Sequence, residues 1–171
     1  MQLHSAYLAG WVHPADVFVQ FYASESAAFW FDREFSVDGR FSVLGAGNLI
    51  SSAVSSGQDD ISLALARMEY ESELEVPFDW RPGLVGAVSY EGQEQFIEAS
   101  RAIVFDHKAQ GIYFVGIFEN QNDFDFWHHA ALLRLGLSGG QVANYIHAQS
   151  NKEGLAAGVL RHSEEQYLKM I

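Results

Sequence analysis

Residues able to do chemistry are plentiful in this chain, yet few stand at useful spacings. Gly45-Ala46-Gly47 offers the beginning of a phosphate-cradling loop. A dinucleotide fingerprint needs a third glycine three positions on, where this chain has Ile50, and a helix opening beneath the pyrophosphate. A turn leaving a strand is the simpler reading. His128 and His129 fall inside a helical pattern, where neighbouring side chains point about 100° apart and do not easily share one metal. The other histidines (His4, His13, His107, His147 and His162) are scattered, with no HExxH pair among them. Asp59-Asp60, Glu71, Glu73 and Glu75 read as a helix cap and a solvated segment; Glu91 and Glu94 read as a solvated loop at the mouth of a cleft. Ser89 lacks the GxSxG surroundings of a nucleophile elbow. With no cysteine, thiolate metal sites, thiol nucleophiles and disulfide frameworks are excluded. From the residues alone, no active site is expected.

The elements that would position such groups belong to a folded chain. Its 171 residues are 49% hydrophobic and 14% aromatic, enough to bury a core and too apolar for disorder. Twenty-two acidic against ten basic side chains give a formal charge of -12, unsuited to a phosphate backbone or an anionic membrane surface. No apolar stretch approaches the ~20 residues that span a bilayer, and MQLHSAYLAGWVHP lacks a signal-peptide pattern, so a cytoplasmic protein is expected.

Val17 to Tyr22 is aromatic and β-branched and reads as a strand. Ala27 to Phe31 and Arg40 to Leu44 read as a hairpin around Arg33 to Gly39, with Asp38-Gly39 as turn chemistry and Gly45 to Asn48 as its breaker. Ser51 to Gly57 reads as an exposed connection, and Asp59 to Glu71 as an amphipathic helix with apolar Ile61, Leu63, Leu65 and Met68. After a turn at Pro77 to Gly83, Leu84 to Tyr90 is apolar on both faces, the pattern of a buried central strand. Arg101 to His107 and Gly111 to Phe118 form the clearest hairpin. Phe124 to Leu135 reads as a helix opened by Asp123 and stopped by Gly136. Ser138 to Gly158 reads as a loose connection, and Ser163 to Ile171 starts a helix with a capping-box pattern and no stop signal. That unfinished helix suggests a chain ending just inside a following domain.

Five segments in this order, AFWFD, GRFSVLGAG, RPGLVGAVSYEG, RAIVFDH with its following strand, and HSEEQYLKMI, resemble the N-terminal domain of the chorismate-using enzymes. These are component I of anthranilate synthase and of aminodeoxychorismate (para-aminobenzoate) synthase. FWFD and GRFSVLG look more like the aminodeoxychorismate branch. The resemblance implies an α+β fold of two packed, mostly antiparallel sheets with flanking helices. It implies a non-catalytic domain over residues 1–160, with 161–171 opening a C-terminal catalytic domain. There chorismate and Mg2+ would be held, with ammonia supplied by a glutamine amidotransferase partner. A ligand pocket, used for tryptophan in some members, would be framed by Trp30, Phe31, Asp32 and Arg33 and by Arg40, Phe41 and Ser42. Where the family segment ends in serine this chain has Arg33, whose bulk, with Trp30 or Phe31, would plug the pocket. The alternative from another class is a free-standing module binding a small ligand.

Overall fold

The structure, a computed structural model, describes residues 1–32, 39–51, 59–70, 72 and 74–136. Arg33, the turn at 33–38, the connection at 52–58 and everything from 137 on, including the capping-box segment, lie outside the described residues. The fold is α+β, with antiparallel sheets of five and three strands and helices beside them.

The five-stranded sheet runs β1 (Gln2–Ala9), β8 (Gly111–Phe118), β7 (Arg101–Asp106), β3 (Phe41–Ala46), β2 (Ala28–Phe31). Both sequence-expected hairpins are present: β2 pairs with β3 and β7 with β8. The three-stranded sheet runs β4 (Asn48–Ser51), β6 (Glu94–Ala99), β5 (Gly83–Val88).

A corner joins the two sheets. Gly45 pairs with Ala102 in the first and Asn48 with Glu98 in the second, so one chain advances three residues while its partner advances four. The extra residue is a bulge, the device that bends a ladder sharply. Gly47 sits at the bend, its N–H donating to the Ala27 carbonyl at 3.1 Å. A Cβ there would run into the Glu98 carbonyl, so the corner accepts only glycine without moving backbone. Gly45 and Ala46, read as strand breakers, are thus strand residues; the break falls at Gly47.

Residues 17 to 22 are not a strand but most of α1 (Pro14–Tyr22). Their β-prone side chains are overruled by Pro14 in the first turn and by His13, whose Nδ1 accepts the Ala15 N–H at 3.2 Å. Pro14, Val17 and Phe21 then fall on one buried face, at helical spacing. α2 spans Asp59–Arg67, and its buried side is Ala64 with the following Met68, while Leu63 and Leu65 are exposed. α3 (Gln121–Arg134) starts earlier than expected because Asn120, not Asp123, is the N-cap. Asn120 Oδ1 accepts the Asp123 N–H at 3.1 Å and its Nδ2 donates to the Asp123 carboxylate at 2.9 Å. Gly136, at φ 72°, ends it as expected.

The five-stranded sheet has a core on each face. Val43, Val104, Val115 and Phe78 pack towards the smaller sheet; Leu44, Ile103, Phe105 and Phe114 pack towards α1 and α3. Leu84 to Tyr90 is corrected in position: β5 is an edge strand, exposed along its second half, and pairs with β6 around a tight turn with Gly92 at φ 80°. Glu91 lies in that turn and Glu94 begins β6. β1 and β6 carry few β-branched residues, so their sequences gave no strand signal. Among the described residues no helix is long and apolar enough to cross a membrane.

Candidate functional site

Antiparallel pairing places the end of β2, the start of β3 and the end of β7 side by side. A cavity of about 670 Å3 opens there, between the larger sheet and the segment before β5. Trp30, Phe31, Asp32, Arg40, Phe41 and Val43 line it from the sheet; Phe78, Asp79 and Trp80 close the other side. Such a volume lies within the range of small-ligand sites. Five of the residues singled out in the sequence therefore share one wall. Ser42 lies behind it, fully buried, and Arg33 lies outside the described residues.

The wall is set by alternation along short strands. Phe29 turns into the core between the sheets, and Phe31, on the same face and 46% exposed, lies 5.4 Å from it between ring centroids. Trp30 turns to the opposite face, its indole stacked on Phe18 of α1 at 5.5 Å, so the bulk of its ring packs with the helix. Phe41 meets Phe78 edge to face at 5.6 Å, and Arg40 lies over the Phe41 ring at 4.7 Å. Arg81 holds the opposing segment, its guanidinium donating to the carbonyls of Phe78 (2.6 Å) and Trp80 (2.9 Å).

Two polar linkages stiffen the floor. Arg40 Nε donates to both Asp106 oxygens (3.0 and 3.1 Å) and a terminal nitrogen donates to Oδ2 (2.6 Å). The fully buried Asp106 also accepts the N–H groups of Lys108 (3.1 Å) and Ala109 (3.0 Å), shaping the β7–β8 turn. Burial alone would push its carboxyl up; the Arg40 bond and the two backbone bonds outweigh that and hold it below the ordinary carboxylate range. Burial raises the nearby Tyr113 phenol, with the Asp106 charge adding to it.

The second linkage joins Ser42, His107 and Asp32, a trio that no local pattern connects. Ser42 Oγ donates to Asp32 Oδ1 at 2.9 Å and lies 2.7 Å from His107 Nε2. With its proton directed to Asp32, the hydroxyl accepts from an Nε2–H of His107. A nucleophilic serine needs the reverse: an unprotonated Nε2 as base, oriented by an acid on the far ring nitrogen. Full burial also closes Ser42 to a substrate. The trio is a brace tying β2, β3 and the β7–β8 turn, with Trp11 set edge-on to the His107 ring at 5.2 Å.

His128 and His129 lie on α3, far from this cavity in the chain. His128 stacks on Phe124 at 5.8 Å, and burial, then the neighbouring His129, pushes its pKa down. His129 Nδ1 donates to the Asp125 carbonyl at 2.9 Å. Among the described residues no three His, Asp or Glu side chains stand close enough together to hold a metal ion.

Sequence reasoning did not assign Asp106, His107, Phe78, Asp79 or Trp80 to the site. RAIVFDH and the turn preceding RPGLVGAVSYEG were visible as motifs, but Arg40 and Asp106 are 66 residues apart, and only strand pairing joins them. No protein-family model matches the chain, and no curated protein matches it.

Proposed function

We propose that this chain is the N-terminal, non-catalytic domain of an aminodeoxychorismate synthase component I. With a glutamine amidotransferase subunit, such an enzyme converts chorismate to 4-amino-4-deoxychorismate, the precursor of para-aminobenzoate and folate. One observation carries the reading. The AFWFD, GRFSVLG and RAIVFDH segments become three adjacent strands, β2, β3 and β7, and the first two line a cavity of ligand size with the segment leading into RPGLVGAVSYEG. Chorismate and Mg2+ belong in this reading to a downstream domain.

The test is to assay the 171-residue chain with chorismate, ammonia and Mg2+, and to read the gene beyond Ile171. No aminodeoxychorismate and a further open frame of ~250 residues, a length that means another domain, are expected. Turnover by this chain alone, or a frame closing at Ile171, overturns the proposal; the latter outcome favours a free-standing binding module.

The same cavity bears on regulation. Two Arg40 nitrogens are committed to Asp106, and the other charged groups lining the cavity are Asp32 and Asp79. An amino acid would meet carboxylates for its ammonium but a preoccupied cation for its own carboxylate. Calorimetric titration with L-tryptophan is therefore expected to show no micromolar binding. Micromolar binding would move the assignment towards anthranilate synthase component I.

A further inference from the structure

A second cleft, of about 430 Å3, lies on the helix side of the larger sheet, where the end of α1, the second half of α3 and the Gly47 corner meet. Buried Phe21 and Ala131 form its base, and Tyr22 and Trp127 its apolar sides. Arg101 and Arg134, both exposed, also line it. Two of only ten basic residues thus converge on one cleft of a chain with net charge -12. Among the described residues neither arginine has an ion-pair partner.

Each guanidinium group lies over an aromatic ring. Arg101 lies over Trp127 at 5.8 Å, and Arg134 over Phe21 at 4.8 Å. Arg134 also joins the two helix ends: it donates to the Gln20 carbonyl, while the Gln20 amide donates back to the Arg134 carbonyl. Those carbonyls sit in last turns, where helix acceptors lack internal partners. Arg134 is positioned by these bonds, and Arg101 by its place over the Trp127 ring. Burial raises the Tyr22 phenol well above its ordinary value, opposed by Arg101 and then Arg134 and reinforced by Glu25, so it remains a hydroxyl donor at neutral pH.

We propose that this cleft binds a small organic carboxylate with a flat apolar body, its carboxylate held by Arg101 and Arg134 and its body against Trp127 and Phe21. The planar guanidinium fork matches a carboxylate, and an aromatic lining favours a ligand with hydrocarbon to bury. Two arginines against Glu25 leave one positive charge, which suits a monoanion better than a phosphate dianion. The site is separate from the cavity between the sheets, and the proposal stands or falls independently of the enzyme assignment.

The test is a heteronuclear NMR titration of the whole chain with four probes: benzoate, acetate, benzylamine and inorganic phosphate. Benzoate is expected to shift the Trp127 indole and Arg101 side-chain signals saturably. Acetate should bind at least ~10-fold more weakly for want of a body to bury, and benzylamine should not bind. Arg101→Gln should weaken benzoate about 10-fold or more, the scale of a lost charge-assisted bond. Arg101→Lys should weaken it less, and Ala130→Glu, which sets a carboxylate inside the cleft, should abolish binding. Unchanged melting temperatures would show that the variants stay folded. Absence of a saturable benzoate shift, phosphate binding as tightly as benzoate, or an Arg101→Gln chain binding normally would each overturn the proposal.

Discussion

Ala102-Ile103-Val104-Phe105 in β7 and Leu84-Val85-Gly86-Ala87-Val88 in β5 read almost alike as apolar runs. In β7 all four side chains are fully buried, whereas Val88 at the end of β5 is 57% exposed. The difference is one of position. β7 has strands on both sides and a core on each face, so every direction its side chains take is apolar. β5 is an edge, and only Leu84 and Val85 reach the core between the sheets. An apolar run states that burial is possible; the sheet order decides whether it happens.

The sharpest way to break this comparison is to shorten one residue in each strand. Phe105→Ala should destabilise the fold by about 3–5 kcal/mol, because it leaves a cavity in packed core. Denaturant melts of this variant beside Val88→Ala should differ widely; a similar loss in both would mean β5 is as constrained as β7.

Next in size is the polar end of β7. Asp106→Ala removes the acceptor of Arg40 and of two backbone N–H groups at a fully buried position, and should cost about 2–4 kcal/mol at neutral pH. The same carboxyl sets a pH dependence. Its folded pKa lies below the unfolded value of about 3.9, so across the acid range the unfolded chain binds more protons. Its stabilisation is complete above that unfolded value and is lost as pH falls through the depressed folded one. Melting temperature measured from neutral to acid pH should therefore fall less steeply in Asp106→Asn than in the parent chain. Parallel curves would remove Asp106 from the account.

Gly47 tests the corner that sends β4 and β6 to a different fate from β3 and β7. Gly47→Ala forces a Cβ against the Glu98 carbonyl and should destabilise by about 1–3 kcal/mol, the range of overpacked substitutions. A neutral Gly47→Ala would show that the bend relaxes freely. Smallest of all, Val88→Thr on the exposed edge should stay within about 0.5 kcal/mol of the parent.

The two cavities extend the contrast. The one between the sheets is lined by aromatic rings, two carboxylates and an arginine already held by Asp106; the one beside the helices carries two arginines without ion partners among the described residues. Part of the first was legible in the sequence, because Trp30 to Asp32 and Arg40 to Ser42 belong to one hairpin and a resemblance marked them. Its far wall, Phe78 to Trp80, and its polar partners Asp106 and His107 were not, since no local pattern encodes a contact across 66 residues. The second cleft was invisible for a stronger reason. Tyr22, Arg101 and Arg134 come from three elements, and the stretch containing Tyr22 reads as strand by composition although it folds as helix.

Features that depend on near neighbours were written in the local sequence. These are the hairpin of β7 and β8, the pairing of β2 with β3, the stop of α3 at Gly136 and the apolar content for a core. Local sterics and turn chemistry suffice for those. Pairing between distant segments placed β5 at an edge and made Ser42 a brace between Asp32 and His107. Each of these follows from packing and pairing between segments distant in the chain, where burial and hydrogen-bond satisfaction outweigh the preferences of any single stretch.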